Sequence, residues 1–493
     1  MCVASTWRVL GPALIISLGG SFHYGYQLSV MNPSEESFTQ FVNASYNDHY
    51  GSYLNEQQWT YLWPSVVNMQ TVGGLVGTFF IKLLLDSLGR KKSFYVTNAL
   101  VLVACILQGI SKVLNAWEVL MVGRFLIGVA QGTQLGLQPV YFSEISTNKA
   151  RGLVGSMTGF VVEVGFLVAS IVALPILLGD EKKWPWLFLV EAIPSLMALA
   201  VLPFLPESPK YLASRGDYGA ATRALRYFGR SEHEADEELK DLRQELAKSA
   251  STSDTSMSLK TLFSTPYIRK GVFLGWMVIF SAAYSGIMAL SYFSTSILRS
   301  SGVSPSDAQY ATIGMTAPCC LGALLGGLVL DWFGRRPIMI AANATMLILN
   351  VLFIIFAHLT RVYLLKWTAY ANIGVAASIC FVYGLGPADV LWLLTAELVP
   401  QKARSTAMTL AMIAQWVSIG TTTLIFYPLQ RAIYEFCFLI HIVPLLVSII
   451  YFVVALPETK NKSTLEIMRQ LGYHGDDENG VVLQPLNGQE REK

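Results

Sequence analysis

The chain has 493 residues, 53% hydrophobic and only 14% charged, with a formal net charge of +2. Soluble domains carry about 25% charged residues, and the mean hydropathy here is +0.46. This composition excludes a disordered chain, a secreted disulfide scaffold and an ordinary cytosolic enzyme; lipid is the solvent of most of the protein. No basic patch suits nucleic acid. The six cysteines form no metal-ligand pattern, and the adjacent Cys319–Cys320 pair suits neither a zinc site nor an unstrained disulfide.

A helix crossing the hydrocarbon core needs about 20 apolar residues. Charge-free runs occupy 9–34, 57–81, 93–111, 271–298, 308–330, 337–360, 405–430 and 436–457. Runs with one or two charges occupy about 118–142, 153–178, 185–205 and 367–396. The prediction is an all-α membrane protein of twelve transmembrane helices. The first segment has no A-x-A cleavage site behind it and is read as retained. With the N-terminus placed inside, 27 of the 35 Lys and Arg fall on inner segments, 7 on outer loops, and Arg124 within a span. The positive-inside rule therefore puts both termini in the cytoplasm. The first outer loop, 35–56, has four acids and no Lys or Arg, and carries the sequon Asn43-Ala-Ser45, a candidate glycosylation site.

The chain repeats itself. Asp86-Ser-Leu-Gly89-Arg90-Lys91 returns as Asp331-Trp-Phe-Gly334-Arg335-Arg336, 245 residues on; Glu144 with Lys149-Ala-Arg151 returns as Glu397 with Lys402-Ala-Arg404, 253 on; Pro206-Glu207 returns as Pro457-Glu458, 251 on. Three matches at nearly one offset define two pseudo-symmetric six-helix bundles of parallel topology. The expected organisation is 1–206 as the N-terminal bundle, 207–270 as a cytoplasmic linker with helices, 271–459 as the C-terminal bundle and 460–493 as a cytoplasmic tail. Gly89 and Gly334 permit tight turns. Asp86, Arg90, Glu144, Arg151, Glu207, Asp331, Arg335, Arg336, Glu397, Arg404 and Glu458 are read as a network of salt bridges at a cytoplasmic gate, since topology alone explains the bases but not the matched acids.

These residues, with Gly123-Arg124-Phe and Pro206-Glu207-Ser-Pro-Lys-Tyr-Leu, resemble the sugar porters of the major facilitator superfamily. Ser294-Thr-Ser-Ile, Tyr310-Ala-Thr-Ile-Gly314 and Gly386-Pro387 leading to Trp392 and Glu397 are similar to animal facilitative hexose transporters. Ser21-Phe-His-Tyr-Gly-Tyr26 and Leu137-Gln138-Pro-Val-Tyr resemble the fructose-transporting subgroup most. The resemblance implies facilitative uniport of a hexose, fructose ahead of glucose, through the plasma membrane. It implies alternating access, two bundles rocking about a midplane site, with bends in the seventh and tenth spans acting as gates. No enzyme activity and no cofactor are implied; the absence of Gly-x4-Gly-Lys-Ser/Thr argues against ATP. The implied partners are a monosaccharide and the bilayer.

The sequence departs from the sugar-site pattern. The usual Gln-Gln-Leu-Ser-Gly-Ile-Asn of the seventh span reads Ala282-Ala283-Tyr284-Ser285-Gly286-Ile287-Met288; other family amides fall on Gly159, Cys319 and Ile419, and Asn-Trp becomes Gln415-Trp416. Each hydrogen bond left unmade in a dry site costs about 1–3 kcal/mol. The remaining candidates for substrate contact are Tyr26, Gln27, Gln138, Ser285, Tyr292, Trp392, Gln415 and Trp416. A carrier of another small solute such as urate, or a non-transporting sensor of the same fold, stays open at this point. Gln27 stands where proton-coupled relatives place an acid. Glu163, mid-membrane in the fifth span, is read either as a substrate or proton group or as a structural acid with Arg124 as partner. His23 is expected to find a local backbone carbonyl, and Glu191 and Asp389 to lie near span ends within reach of water or Arg.

Overall fold

The computed structural model describes residues 2–147, 150–251, 257, 259–300 and 302–473. Its first bundle comprises α1 (Cys2–Leu18), α2 (Ser21–Ser29), α3 (Glu35–Tyr50), α4 (Glu56–Ser87), α5 (Gly89–Ile110), α6 (Trp117–Ile145), α7 (Arg151–Val172) and α8 (Pro185–Val201). A linker follows, with α9 (Pro209–Ser214), α10 (Tyr218–Tyr227), α11 (Glu232–Ser251) and α12 (Leu259–Ser264). The second bundle comprises α13 (Pro266–Ala283), α14 (Ile287–Ser300), α15 (Pro305–Phe333), α16 (Arg335–Tyr363), α17 (Lys366–Leu385), α18 (Pro387–Glu397), α19 (Gln401–Ile433) and α20 (Leu439–Ala455), and α21 (Thr464–Gln470) closes the described chain. The end carrying α3 is called outer below and the end carrying the linker inner, after the Lys and Arg distribution.

Among the described residues nine stretches are long and apolar enough to cross a membrane, and one of them, Lys402–Ala455, holds two helices. Two further spans complete the twelve. The first is α1 and α2, split at Gly19-Gly20; the other is α6, diluted by Arg124 and three glutamines. The twelve helices form two six-helix bundles.

Three spans are broken, each for a legible reason. Gly286 sits at φ +97° between α13 and α14, in the region that only glycine enters freely. A Cβ there would come 2.7 Å from Asn350 Oδ1, while Asn350 Nδ2 donates to the freed Ser285 carbonyl at 2.9 Å. Pro387 opens α18, where its missing N–H leaves no gap in the ladder. At Gly20, Gln138 Oε1 accepts the Ser21 amide at 3.2 Å. Elsewhere close approach sets the geometry: a Cβ at Gly73 or Gly128 would collide with the carbonyls of Phe125 and Gln70. The α4–α6 seam is thus of the small-residue kind that packs membrane helices.

Candidate functional site

Within the second bundle, α13, α14, α17, α18 and α19 surround a cavity of about 10 Å³, lined by Ile279, Ala282, Ala283, Met288, Tyr383, Leu391, Gln415 and Ile419. That is about the room one water needs, so a solute enters only when the lining parts. Ala282, Ala283, Met288 and Ile419, four of the positions where family amides are missing, line this cavity, and Gln415 is its one amide. Tyr24, buried against Trp416 with ring centroids 5.6 Å apart, faces Gln415 from the other bundle, with Tyr292 and Tyr383 close by. No group of three or more His, Cys, Asp or Glu able to hold a metal occurs among the described residues.

The eight candidate contacts separate into two sets. Gln415 lines the cavity, Trp416 packs on Tyr24 beside it, and Trp392 lies half-buried on α18, one residue from the cavity-lining Leu391. The Tyr292 hydroxyl faces Thr71 across the bundle interface, and Ser285 turns its hydroxyl onto the Ala282 carbonyl at 2.8 Å within the break. Tyr26, Gln27 and Gln138 are placed elsewhere, a correction to the sequence reading. The Tyr26 hydroxyl donates to the Leu187 carbonyl at 2.8 Å. Gln138 donates to Ser17 at 2.9 Å and Thr158 at 3.0 Å, and Gln27 belongs to a network inside the first bundle. Tyr24 was missed because a helical turn puts residues 24 and 26 on different faces, and no polarity difference told which face met the other bundle.

That network is the most polar part of the interior. Gln27 Oε1 accepts from Arg124 at 2.8 Å while its Nε2 donates to Glu191 at 2.6 Å, so one amide bridges a buried cation and a buried anion. Arg124 also donates to the Val67 carbonyl and Gln70, at 2.7 and 2.9 Å. His23 meets the Ser195 hydroxyl at 2.8 Å and Glu191 at 3.5 Å, rather than the backbone carbonyl expected for it. Glu191 is fully buried, so of the water or Arg expected near it the structure supplies Arg124, through Gln27. Arg124 is therefore not the partner of Glu163. Glu163, 6% exposed, faces the Cys319 thiol of the second bundle, with Cys320, Cys380 and Tyr24 around it. No Lys or Arg pairs with it among the described residues.

At the inner end the duplicated motifs do two jobs. Arg90 grips Glu144 with two bonds of 2.8 and 2.6 Å, and Arg335 lies 3.5 Å from Glu397. Glu207 and Glu458 act as helix caps instead of salt-bridge acids. Glu207 accepts the first amides of α5, from Arg90 and Lys91 at 3.0–3.1 Å, and Glu458 those of α16, from Arg335 and Arg336 at 3.0 and 3.1 Å. Anionic groups belong at such termini. The glycines are explained too: φ is +83° at Gly89 and +90° at Gly334, and a Cβ at either would sit 2.8 Å from its capping carboxylate. Burial pushes the Glu207 carboxyl above its usual range despite these amides. For Glu458 burial acts upward as well, but the amides of Lys460, Arg335, Arg336 and Thr459 hold it below.

Three more gate expectations change. Asp86 is exposed, and its carbonyl rather than its carboxylate takes a bond from Arg215, at 3.1 Å. Arg404 and Arg336 donate to the carbonyls of Ala396 and Val453, at 3.0 and 2.7 Å. The side chains of Arg151, Asp331 and Asp389 lie outside the described residues, as does the tail from 474 on. Among the described residues, the two ion pairs formed by the duplicated motifs, Arg90–Glu144 and Arg335–Glu397, each stay within one bundle.

The outer end is different. Asn32, just past α2, donates to the Ser291 carbonyl at 2.9 Å and Ser294 Oγ at 2.7 Å, and accepts the Thr295 amide at 3.0 Å. Asn68 of α4 accepts from Thr423 of α19 at 2.8 Å, and Arg299 lies 3.6 Å from Glu36. These bonds join the two bundles and close the outer side over the cavity. Asn43 does not lie in an open loop: it sits half-buried in α3, and the Ser45 hydroxyl of its sequon donates to the Asn115 carbonyl at 2.6 Å.

Residues 12–471 match the family described as sugar (and other) transporter. Facilitated glucose transporter member 9 of solute carrier family 2 from Mus musculus is 32% identical, over 94% of this chain and 85% of its own. Member 5 from Equus caballus is 33% identical, over 92% and 90%. Among solved structures, the proton:xylose symporter XylE of the major facilitator superfamily superposes with a TM-score of 0.75 at 21% identity, over 94% of this chain and 98% of that one, which establishes the fold. Three broken spans, two repeated bundles and this likeness agree: the chain is a multi-pass membrane protein of the sugar transporter family, within solute carrier family 2.

Proposed function

We propose that the protein is a facilitative carrier of a hexose, fructose ahead of glucose, working by alternating access in the plasma membrane with both termini cytoplasmic. The observation that carries the reading is the asymmetry of its ends. Asn32 clamps the bundles together outside, while the inner ion pairs each stay within one bundle. This asymmetry supports a carrier facing the cytoplasm, its central cavity closed from outside. The substrate reaches Gln415 and Trp392 from the inner side, with Tyr24 and Trp416 completing the far wall. Gln27 is consistent with uniport, because an amide committed to Arg124 and Glu191 relays no proton.

A second reading rests on the cavity lining. Six of its eight residues are apolar, which suits a flat, less hydroxylated solute such as urate better than a ring with five hydroxyls. One experiment separates the two. Proteoliposomes are assayed with labelled hexoses, polyols and urate, with and without a pH gradient. Fructose uptake indifferent to the gradient is the expected result; no uptake of any hexose overturns the first reading. Glu163→Gln is measured in the same panel. As a structural acid facing Cys319, it leaves the pH profile of uptake unchanged, and a profile flattened by the substitution would make it a proton group.

A further inference from the structure

The seventh span, broken into α13 and α14, carries the outer closure. Ser291, Ser294 and Thr295, the residues that Asn32 clamps, all lie on α14. Opening the outer side therefore requires α14 to pivot on the break, Tyr284 to Gly286. Two side chains of the second bundle meet the break from outside the span, Asn350 of α16 and His441 of α20, and both are completely buried.

The two are used differently. Asn350 is engaged: its Nδ2 donates to the Ser285 carbonyl at 2.9 Å and to the Met346 carbonyl of its own helix at 2.7 Å. His441 is idle. It faces the Tyr284 carbonyl, yet neither ring nitrogen makes a hydrogen bond. A polar group left unpaired in a dry interior is destabilising, and few are found so. Packing does not explain it. The ring stacks on Phe426 with centroids 5.8 Å apart and meets Phe438 at 5.5 Å, contacts that a phenylalanine would make without leaving nitrogens unpaired. Those nitrogens have no accessible surface, so their missing partner is neither solute nor solvent. It is a group of the protein that is out of position in this state.

The surroundings identify that group. Phe438 stacks on Phe353 of α16 at 4.2 Å, one turn from Asn350, so Asn350 and His441 belong to one packed block. Phe426 also stacks on Phe293 of α14, at 6.2 Å, so the moving half of the span leans on the same block. A pivot of α14 turns the peptide groups at the break, and the Tyr284 carbonyl is the acceptor that His441 already faces. A neutral imidazole has one N–H to give it.

We propose that Asn350 and His441 are positioning residues for the transport cycle, a two-position catch on the bend of the seventh span. Asn350 holds the Ser285 carbonyl in the outward-closed state, and His441 takes the Tyr284 carbonyl when α14 swings away from Asn32. The proposal deepens the alternating-access reading and rests on it.

The test is the distribution of spin-label distances across the outer ends of the full chain in nanodiscs, which reads the ratio of the two states. The catch predicts opposite signs from two neighbouring side chains. His441→Phe removes idle nitrogens from the closed state and a bond from the open one. The ratio moves about five-fold or more toward closed, as one hydrogen bond implies, and turnover falls while the apparent Tm does not. His441→Gln, which keeps a donor there, restores the parent ratio. Asn350→Leu frees the Ser285 carbonyl and moves the ratio by a similar factor toward open; Asn350→Ser, too short to reach that carbonyl, serves where Asn350→Leu folds poorly. Residues that only pack would lower the Tm and leave the ratio unmoved. A parent that populates both states, with variants that leave the ratio unmoved or move it the same way, refutes the catch alone. A parent confined to one distance, with or without hexose, refutes alternating access and the catch with it.

Discussion

The two bundles descend from one repeat, yet their interiors have diverged. The first is held by a buried polar network in which Gln27, Arg124, Glu191, His23 and Gln70 bond one another, and its α4–α6 seam is closed by glycines. The second has no comparable network among the described residues; its helices are bent at Gly286 and at Gly386-Pro387, and all eight residues lining the central cavity belong to them. The first bundle is the rigid partner and the second the deformable one. Spans that bend around a solute need backbone ladders that are already interrupted. A bundle fixed by a bridged charge pair supplies the surface against which they close.

The largest effect is expected in the rigid bundle. Gln27→Leu leaves Arg124 and Glu191 each short of a partner in a dry interior, at a cost of about 3 kcal/mol or more. The apparent Tm of the purified protein should fall clearly, with uptake lost in proportion to folded protein. An unchanged Tm would mean that the network contributes little. The matching change in the deformable bundle is Gly286→Ala. It places a side chain at φ +97° and a methyl group 2.7 Å from Asn350 Oδ1, a strain of about 1–3 kcal/mol. Here transport turnover should fall more than stability does. Equal losses of both would show that the break is packing rather than a hinge.

The contact between the bundles gives the next effect. Asn32→Ala removes an amide that makes bonds to Ser291, Ser294 and Thr295. Losing about 1–2 kcal/mol of closure shifts the population some 5- to 30-fold toward the outward-open state. Spin-label distances across the outer ends should lengthen, and an unchanged distance distribution would remove Asn32 as the clamp.

Much of this architecture was legible in the sequence. Twelve spans follow from run lengths, the two bundles from the repeated Asp-x-x-Gly-Arg motif, and the two C-terminal breaks from the family resemblance, which implies bends in the seventh and tenth spans. Four of the positions where family amides are missing line the small cavity of the second bundle, because a resemblance maps positions even where the residues differ. Burial direction was not legible. Within an almost uniformly apolar helix nothing distinguishes the face that meets the other bundle, so Tyr26 stood in for Tyr24, and Gln27 was read as a cavity group while it bridges two charges. The acids of the repeat were recognised as paired, but Glu207 and Glu458 cap backbone amides, a geometry that composition and spacing do not encode.

Those two carboxylates give the smallest effect and the most direct comparison of the bundles. They occupy equivalent places in the repeat, outside the membrane spans, and accept equivalent amides, yet they are displaced in opposite directions. Glu207 is the more deeply covered, and burial raises it; Glu458 is more open, and its four amides lower it. The signs therefore differ. A carboxyl lowered in the folded state contributes stability above its unfolded value of about 4.3, and that contribution is lost as pH falls through the folded value. A carboxyl raised in the folded state does the reverse: its contribution is present below about 4.3 and disappears as pH rises through the folded value. Acidification below about pH 4.3 should thus loosen the amides of Arg335 and Arg336 before those of Arg90 and Lys91. Hydrogen exchange corrected for intrinsic rates reads both sites in one sample. Glu458→Gln should abolish the acid-induced change at α16, and Glu207→Gln should leave it in place. Loosening at both caps together would show that the two bundles share one electrostatic environment at their inner ends and that the divergence is confined to their membrane interiors.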